Sequence, residues 1–144
     1  MLASSEARMI NVLLVDDYPI MQQLLRDILQ RYPDICVVGE AQDGEDAVLQ
    51  SMKLKPTVVI IDINLPTISG MEATRLIKRQ RPSTTVIGLT AGAPEQIVTA
   101  MQDAGAAAVL RKEDLLSVLY PTMIEAIRSS AKPAFASASA STKH

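Results

Sequence analysis

Pro56-Thr57-Val58-Val59-Ile60-Ile61-Asp62-Ile63-Asn64-Leu65-Pro66-Thr67-Ile68-Ser69-Gly70 is the stretch whose reading decides the fold. The run from Thr57 to Ile61 is β-branched throughout, with no polar alternation. Such a run predicts a strand buried on both faces, the mark of a parallel sheet covered by helices. It ends on a carboxylate, Asp62, and enters a loop punctuated by Pro66 and Gly70. Open α/β sheets place their chemistry just beyond the carboxyl ends of the strands, which is where Asp62 falls.

Toward the N-terminus, Met9 to Val15 is a first apolar strand that runs into Asp16-Asp17. Pro19 suits the first turn of a helix. Met21, Leu24, Leu25, Ile28 and Leu29 then recur at helical spacing, predicting a helix through about Tyr32 with these residues inward. Pro33-Asp34 breaks the pattern, and Ile35 to Val38 reads as a short second strand. Asp43-Gly44 opens a second helix with Ala47, Val48 and Met52 on its inner face, closed by Lys55-Pro56.

Toward the C-terminus, a third helix is expected from about Met71 to Gln80, with Ala73, Leu76 and Ile77 inward. Lys78, Arg79 and Arg81 crowd its end. A phosphate-binding patch is the sharper reading of that cluster, but cations at a helix C-terminus complement its dipole, and that reading is preferred. Thr84 to Leu89 is a fourth strand ending at Thr90. A fourth helix starts at Pro94 and stops at Gly105, and Ala107 to Leu110 is a fifth strand delivering Arg111-Lys112. Pro121 is read as opening the last helix, with Met123, Ile124 and Ile127 apolar. Five strand–helix repeats predict an α/β fold, a doubly wound five-stranded parallel sheet flanked by helices. Residues 1–8 are read as an extension, 9–130 as one domain, and 131–144 as an Ala/Ser-rich tail or linker.

Composition narrows the function. With 14 Lys and Arg against 16 Asp and Glu, the chain offers no electrostatic case for nucleic acid or an anionic membrane. No run is long enough to span a bilayer, and the first eight residues lack the apolar core of a signal peptide. One cysteine, Cys36, forms no intramolecular disulfide, and a reducing, cytoplasmic setting fits it best. A nucleophilic role for Cys36 finds no support, because the single histidine is the terminal His144.

Asp16, Asp17, Asp62, Thr90 and Lys112 all fall at carboxyl ends of predicted strands. Each alone is ordinary: a solvated turn, a helix cap, a surface charge. Parallel strands bring them to one rim. Two unit charges about 4 Å apart in a partly buried site repel by on the order of 4 kcal/mol. Three gathered carboxylates therefore need a shared proton or a hard divalent cation. Oxygen ligands without His or Cys suit Mg²⁺, or Mn²⁺, better than zinc. Such an ion keeps open positions for phosphate oxygens. Lys112 adds a cation, Thr90 a hydroxyl, and there is no general base. The chemistry implied is phosphoryl transfer onto Asp62 as nucleophile.

The segments Leu-Leu-Val-Asp-Asp-Tyr-Pro, Ile-Ile-Asp-Ile-Asn-Leu-Pro-Thr-Ile-Ser-Gly, Gly-Leu-Thr-Ala and Gly-Ala-Ala-Ala-Val-Leu-Arg-Lys resemble the successive motifs of two-component response-regulator receiver domains. The likeness runs from about Ile10 to Arg128, and the run from Tyr32 to Ala47 resembles the NarL/FixJ-like branch. It implies a flavodoxin-like, CheY-like fold. It also implies phosphorylation of Asp62 by a sensor histidine kinase or phosphotransfer protein, without turnover of outside substrates. Asp17 and Asp62 would bind Mg²⁺ directly, Asp16 through water, and Asn64 through its backbone carbonyl. Thr90 would be the switch hydroxyl, and Gly92 and Asn64 would flank the path of hydrolytic water.

Three departures stand out. Val109 occupies the place of a usual Tyr or Phe, so the coupling of Thr90 to the surface is in doubt. Ala108 replaces a common Gly, with little consequence. Glu113 to Tyr120 is longer than the family norm, and Leu115, Val118 and Leu119 have helical spacing, predicting an extra helical turn ended by Pro121. That turn is expected to pack on the core. The sharper alternative is a homodimer surface there, or on the face formed by the fourth helix, fifth strand and fifth helix. Three rival functions compete with this reading. A DNA-binding regulator whose helix-turn-helix domain lies outside this chain is the nearest. An Asp-nucleophile phosphatase lacks its second acid, since Asn64 holds that place. A nucleotide binder lacks a Gly-rich first loop.

Overall fold

The computed structural model describes residues 9–130. The expected extension 1–8 and tail 131–144 lie outside the described residues. The elements follow as β1 Ile10–Val15, α1 Pro19–Leu29, β2 Ile35–Ala41, α2 Gly44–Leu54, β3 Val58–Asp62, α3 Gly70–Gln80, β4 Thr85–Thr90, α4 Glu95–Ala104 and β5 Ala108–Arg111. A 3-10 turn, Lys112–Asp114, then leads into α5, Leu115–Ser130. All five strands are parallel, in the order β2-β1-β3-β4-β5.

Strand alternation divides the core. Val12, Leu14, Val58, Ile60, Ile87 and Leu89 face α1 and α5, whereas Leu13, Val15, Val59, Ile61 and Val86 face α2, α3 and α4. The sheet is therefore covered on both sides, which is why β3 carries no polar alternation and is buried throughout. Each fully buried Val or Ile there contributes roughly 1.5–3 kcal/mol of transfer free energy. Chain order reverses between β1 and β3, so the crevice at their carboxyl ends is the switch point of the sheet.

Several boundaries and faces differ from the sequence expectation. α1 ends at Leu29, where a tight turn with Tyr32 N–H donating to Leu29 O (3.1 Å) releases Tyr32 from the helix. Leu24 is 40% exposed, and Gln22 is the residue that turns inward with Leu25, Ile28 and Leu29. In α2, Met52 is exposed and the buried stripe is Gly44, Ala47 and Ser51. β2 continues past Val38 to Ala41 because the register shifts between Val12 and Leu13, which pair with Val37 and Gly39. Cys36, in this strand, is exposed. At the end of α3, Lys78 Nζ donates to Pro82 O and Thr84 O, both at 2.7 Å, carbonyls of the turn that follows the helix.

The largest correction concerns Pro121, which neither ends one helix nor opens another but lies inside α5. It removes one helical hydrogen bond and crowds the preceding turn, at a cost of about 3 kcal/mol. Leu115, Leu119 and Met123, spaced i, i+4 and i+8, are all buried in the core shared with α1. At roughly 1.5–3 kcal/mol each their burial outweighs the proline. The preferred reading of the 113–120 segment holds for Leu115 and Leu119, which are core. A docking surface made of Leu115 and Leu119 does not exist, although Leu116 is exposed. Among the described residues, no helix is long and apolar enough to cross a membrane.

Candidate functional site

Val15 of β1 pairs with Ile61 of β3, so the next residue of each strand, Asp16 and Asp62, sits side by side at the carboxyl edge. Asp16 is fully buried, Asp62 is 5% exposed, and Asp17, one residue on, is exposed. One carboxylate oxygen from each of the three lies within 4.8 Å of the others. Gly70 secures the β3 end of this arrangement. Its N–H donates to Ile63 O at 2.8 Å, and a Cβ there would fall 2.1 Å from Asp62 O, so no other residue lets α3 start this close to the acid.

Lys112 approaches from beyond β5, across the end of β4, a distance that calls for a long side chain. Its Nζ donates to Asp62 Oδ2 at 2.7 Å and stands 3.2 Å from Asp16 Oδ2. The ammonium is aligned on Asp62, and Asp16 Oδ2 is left buried without a hydrogen bond. The remaining oxygens are held by the backbone: Tyr18 N–H donates to Asp16 Oδ1 at 2.9 Å, and Asn64 N–H to Asp62 Oδ1 at 3.0 Å. The Asn64 side chain is exposed.

Thr90 ends β4 one residue past the Asp62–Leu89 pair and is buried. Its Oγ1 accepts from Gly92 N–H at 3.1 Å and Ala93 N–H at 2.7 Å, so it caps the turn into α4. Gly92 has φ +117°, and a Cβ there would meet nothing within 4 Å. Glycine is used at this position for its backbone, and the space above it is open. All six sequence-derived site residues thus lie along one edge. Gly70 reads in the sequence only as a loop break, and Gln22 escapes notice because a polar residue in an amphipathic pattern reads as surface.

The electrostatics are those of a crowded acid cluster. Burial raises the Asp16 pKa above the usual carboxylate value, and the charge of Asp62 adds to this. The Tyr18 amide and Lys112 only partly oppose the rise. For Lys112, burial would lower the pKa, but the hydrogen bond and charge of Asp62, with the charge of Asp16, outweigh it and the value is raised. Three carboxylates facing one ammonium leave an excess of two negative charges. That excess, an all-oxygen donor set and an Asp16 Oδ2 that has no hydrogen bond and shares its one ammonium with Asp62 fit a hard divalent cation.

Comparison with known proteins agrees with this geometry. The family model for the response regulator receiver domain matches residues 12–120. Response regulator GacA of Pseudomonas protegens is 37% identical over 120 residues, covering 83% of this chain and 54% of GacA. A protein-glutamate methylesterase/protein-glutamine glutaminase of Methanospirillum hungatei is 39% identical over 106 residues, covering 72% of this chain and 30% of the relative. The chain therefore spans about half or less of the length of these relatives. Among solved structures, the response regulator domain of Thermotoga maritima CheB superposes with a TM-score of 0.79 at 31% identity. That alignment covers 88% of this chain and 100% of that domain.

Proposed function

This chain belongs to the response regulator receiver domain family of two-component systems, and from that premise we propose that it accepts a phosphoryl group on Asp62. The observation that carries the reading is the gathering of Asp16, Asp17 and Asp62 within 4.8 Å, with Lys112 hydrogen-bonded to Asp62.

In the proposed reaction a carboxylate oxygen of Asp62 attacks phosphorus on the phosphohistidine of a sensor kinase or phosphotransfer protein. The new O–P bond forms as the N–P bond breaks, and the freed imidazole nitrogen takes a proton from solvent. Lys112, hydrogen-bonded to Asp62, would neutralise charge on the transferred group. Asp16, Asp17, Asp62 and the Asn64 carbonyl would hold Mg²⁺, or Mn²⁺, which when bound supplies further positive charge to phosphoryl oxygens. Thr90 would exchange its Gly92 and Ala93 amides for the phosphoryl group, altering the turn into α4. With Val109 in place of an aromatic, that change reaches the surface without ring rotation. Asn64 is not an acid, so turnover of outside substrates is not expected, and the open space at Gly92 leaves the acyl phosphate accessible to water.

Treatment with acetyl phosphate and Mg²⁺ followed by intact mass tests the proposal. Wild type gains one phosphoryl group and loses it on standing, whereas Asp62→Asn gains none. Incorporation into Asp62→Asn, or a phospho-form that survives many hours with Mg²⁺ present, contradicts it. Whether the output is a helix-turn-helix domain beyond this chain is decided by the full open reading frame.

A further inference from the structure

Gln22 is anomalous in α1. It is 5% exposed, while Ile20 and Leu24 on the same helix point outward. An apolar residue would fill an inward position without needing partners. Gln22 instead uses its amide twice, with Nε2 donating to Asp16 O at 2.8 Å and to Ala41 O at 2.9 Å. Its Oε1 is buried without a partner, so burial here is not a matter of convenient packing.

The two carbonyls are the chain's exits from β1 and β2. Ala41 O also accepts from Asp16 N–H at 3.1 Å, so Gln22 extends the β1–β2 ladder by a side chain, just past its last strand pair, Val15–Ala41. Asp16 is consequently fixed at three points. Its N–H is held by Ala41, its C=O by Gln22, and its Oδ1 by the Tyr18 amide. The one group left without a hydrogen bond is Oδ2, buried, 3.2 Å from the Lys112 ammonium that it shares with Asp62, and within reach of the other acids.

We infer that Gln22 is a positioning residue for the acid cluster, locking the Asp16 main chain so that Oδ2 stands ready toward a divalent cation. The inference rests on the cation reading given above. It assigns no contact between Gln22 and the ion, and its effect is on affinity rather than on the phosphoryl step. Partners that orient metal-binding groups from behind typically set affinity by ten- to a hundredfold.

The test compares wild type with Gln22→Met, which keeps the length of the side chain and removes both donors. Mn²⁺ affinity is measured by electron paramagnetic resonance, and the rate of Asp62 phosphorylation by acetyl phosphate is measured against Mg²⁺ concentration. The expected result is Mn²⁺ binding weakened about tenfold, with the phosphorylation rate restored to near wild type at saturating Mg²⁺. In an Asp16→Asn background, Gln22→Met adds no further loss of affinity.

Unchanged affinity overturns the inference. So does a rate lost equally at saturating Mg²⁺, because that is general damage. A wild type that binds no Mn²⁺ removes the cation reading itself and the inference with it, whereas wild-type binding with an indifferent Gln22→Met removes only the inference. Should Gln22→Met not fold, the unmodified protein still decides. The Gln22 side-chain amide resonances must shift with Mg²⁺ at the same midpoint as the amide of Asn64, and resonances that stay still overturn the proposal.

Discussion

Asp16 and Asp34 lie at opposite edges of the same sheet and are treated in opposite ways. Asp34, just before β2, accepts a hydrogen bond from Tyr120 Oη at 2.8 Å, and the Tyr120 ring stacks on Tyr32 with centroids 3.8 Å apart and planes within 1°. Asp16, just after β1, is buried beside two other acids and keeps an oxygen with no hydrogen bond. One edge satisfies its carboxylate and ties α5 to the turn after α1. The other leaves charge unbalanced, at a cost in stability that a cation can offset. The contrast separates what holds this fold from what it does.

That separation can be broken by mutation, starting with the packing that carries the N-terminal part of α5. Leu119→Ala is expected to cost about 2–5 kcal/mol in denaturant unfolding, since the side chain is fully buried in the core. Its Mg²⁺ affinity, measured where the protein remains folded, should stay within a few-fold of wild type. A collapse of affinity would mean that the two edges are not independent.

Tyr120→Phe keeps the stack and removes only the hydrogen bond to Asp34. A loss of about 1 kcal/mol is expected, the pair being half-buried. The bond raises the Tyr120 pKa, with smaller contributions from burial and the charge of Asp34. A raised folded-state value means that the contribution is complete below the ordinary tyrosine value of 10.0 and fades as pH rises through the folded pKa. Melting curves for the pair should therefore converge only in strong alkali. Convergence at neutral pH would show that the bond contributes nothing.

Asp16→Asn should have the smallest effect on metal-free stability, and with the opposite sign. The folded pKa of Asp16 is raised, chiefly by burial, so its ionisation disfavours folding as pH climbs from the ordinary aspartate value of 3.8 through the folded pKa. Without cation the variant should match wild type below that window and be the more stable above it. A variant less stable than wild type at neutral pH would mean that Lys112 already compensates Asp16 in full.

These two edges were not equally legible in the sequence. Asp16, Asp17, Asp62 and Lys112 could be placed because each follows a short apolar run, and parallel topology forces such ends together. The position of β3 could be read because two buried faces leave a run without alternation. The Tyr32–Tyr120 stack could not be read, since it joins residues 88 apart that carry no local pattern. Pro121 was misread because local propensity favours a boundary there, whereas Leu115, Leu119 and Met123 carry the helix through by burial. Gln22 and Leu24 were exchanged for a similar reason. The periodicity gave the helix its type, but a small rotation of α1 sets which residue meets the strand ends, and that rotation depends on two carbonyls.

Titration calorimetry of the phosphate-free protein with Mg²⁺ bears most directly on the central claim, that the edge left unsatisfied at Asp16 is built for a cation. Wild type should bind one ion per chain, Asp17→Asn and Asp62→Asn should lose measurable binding, and Tyr120→Phe should bind as wild type does. A wild type that takes up no Mg²⁺, or acid variants that bind it undiminished, would contradict the account.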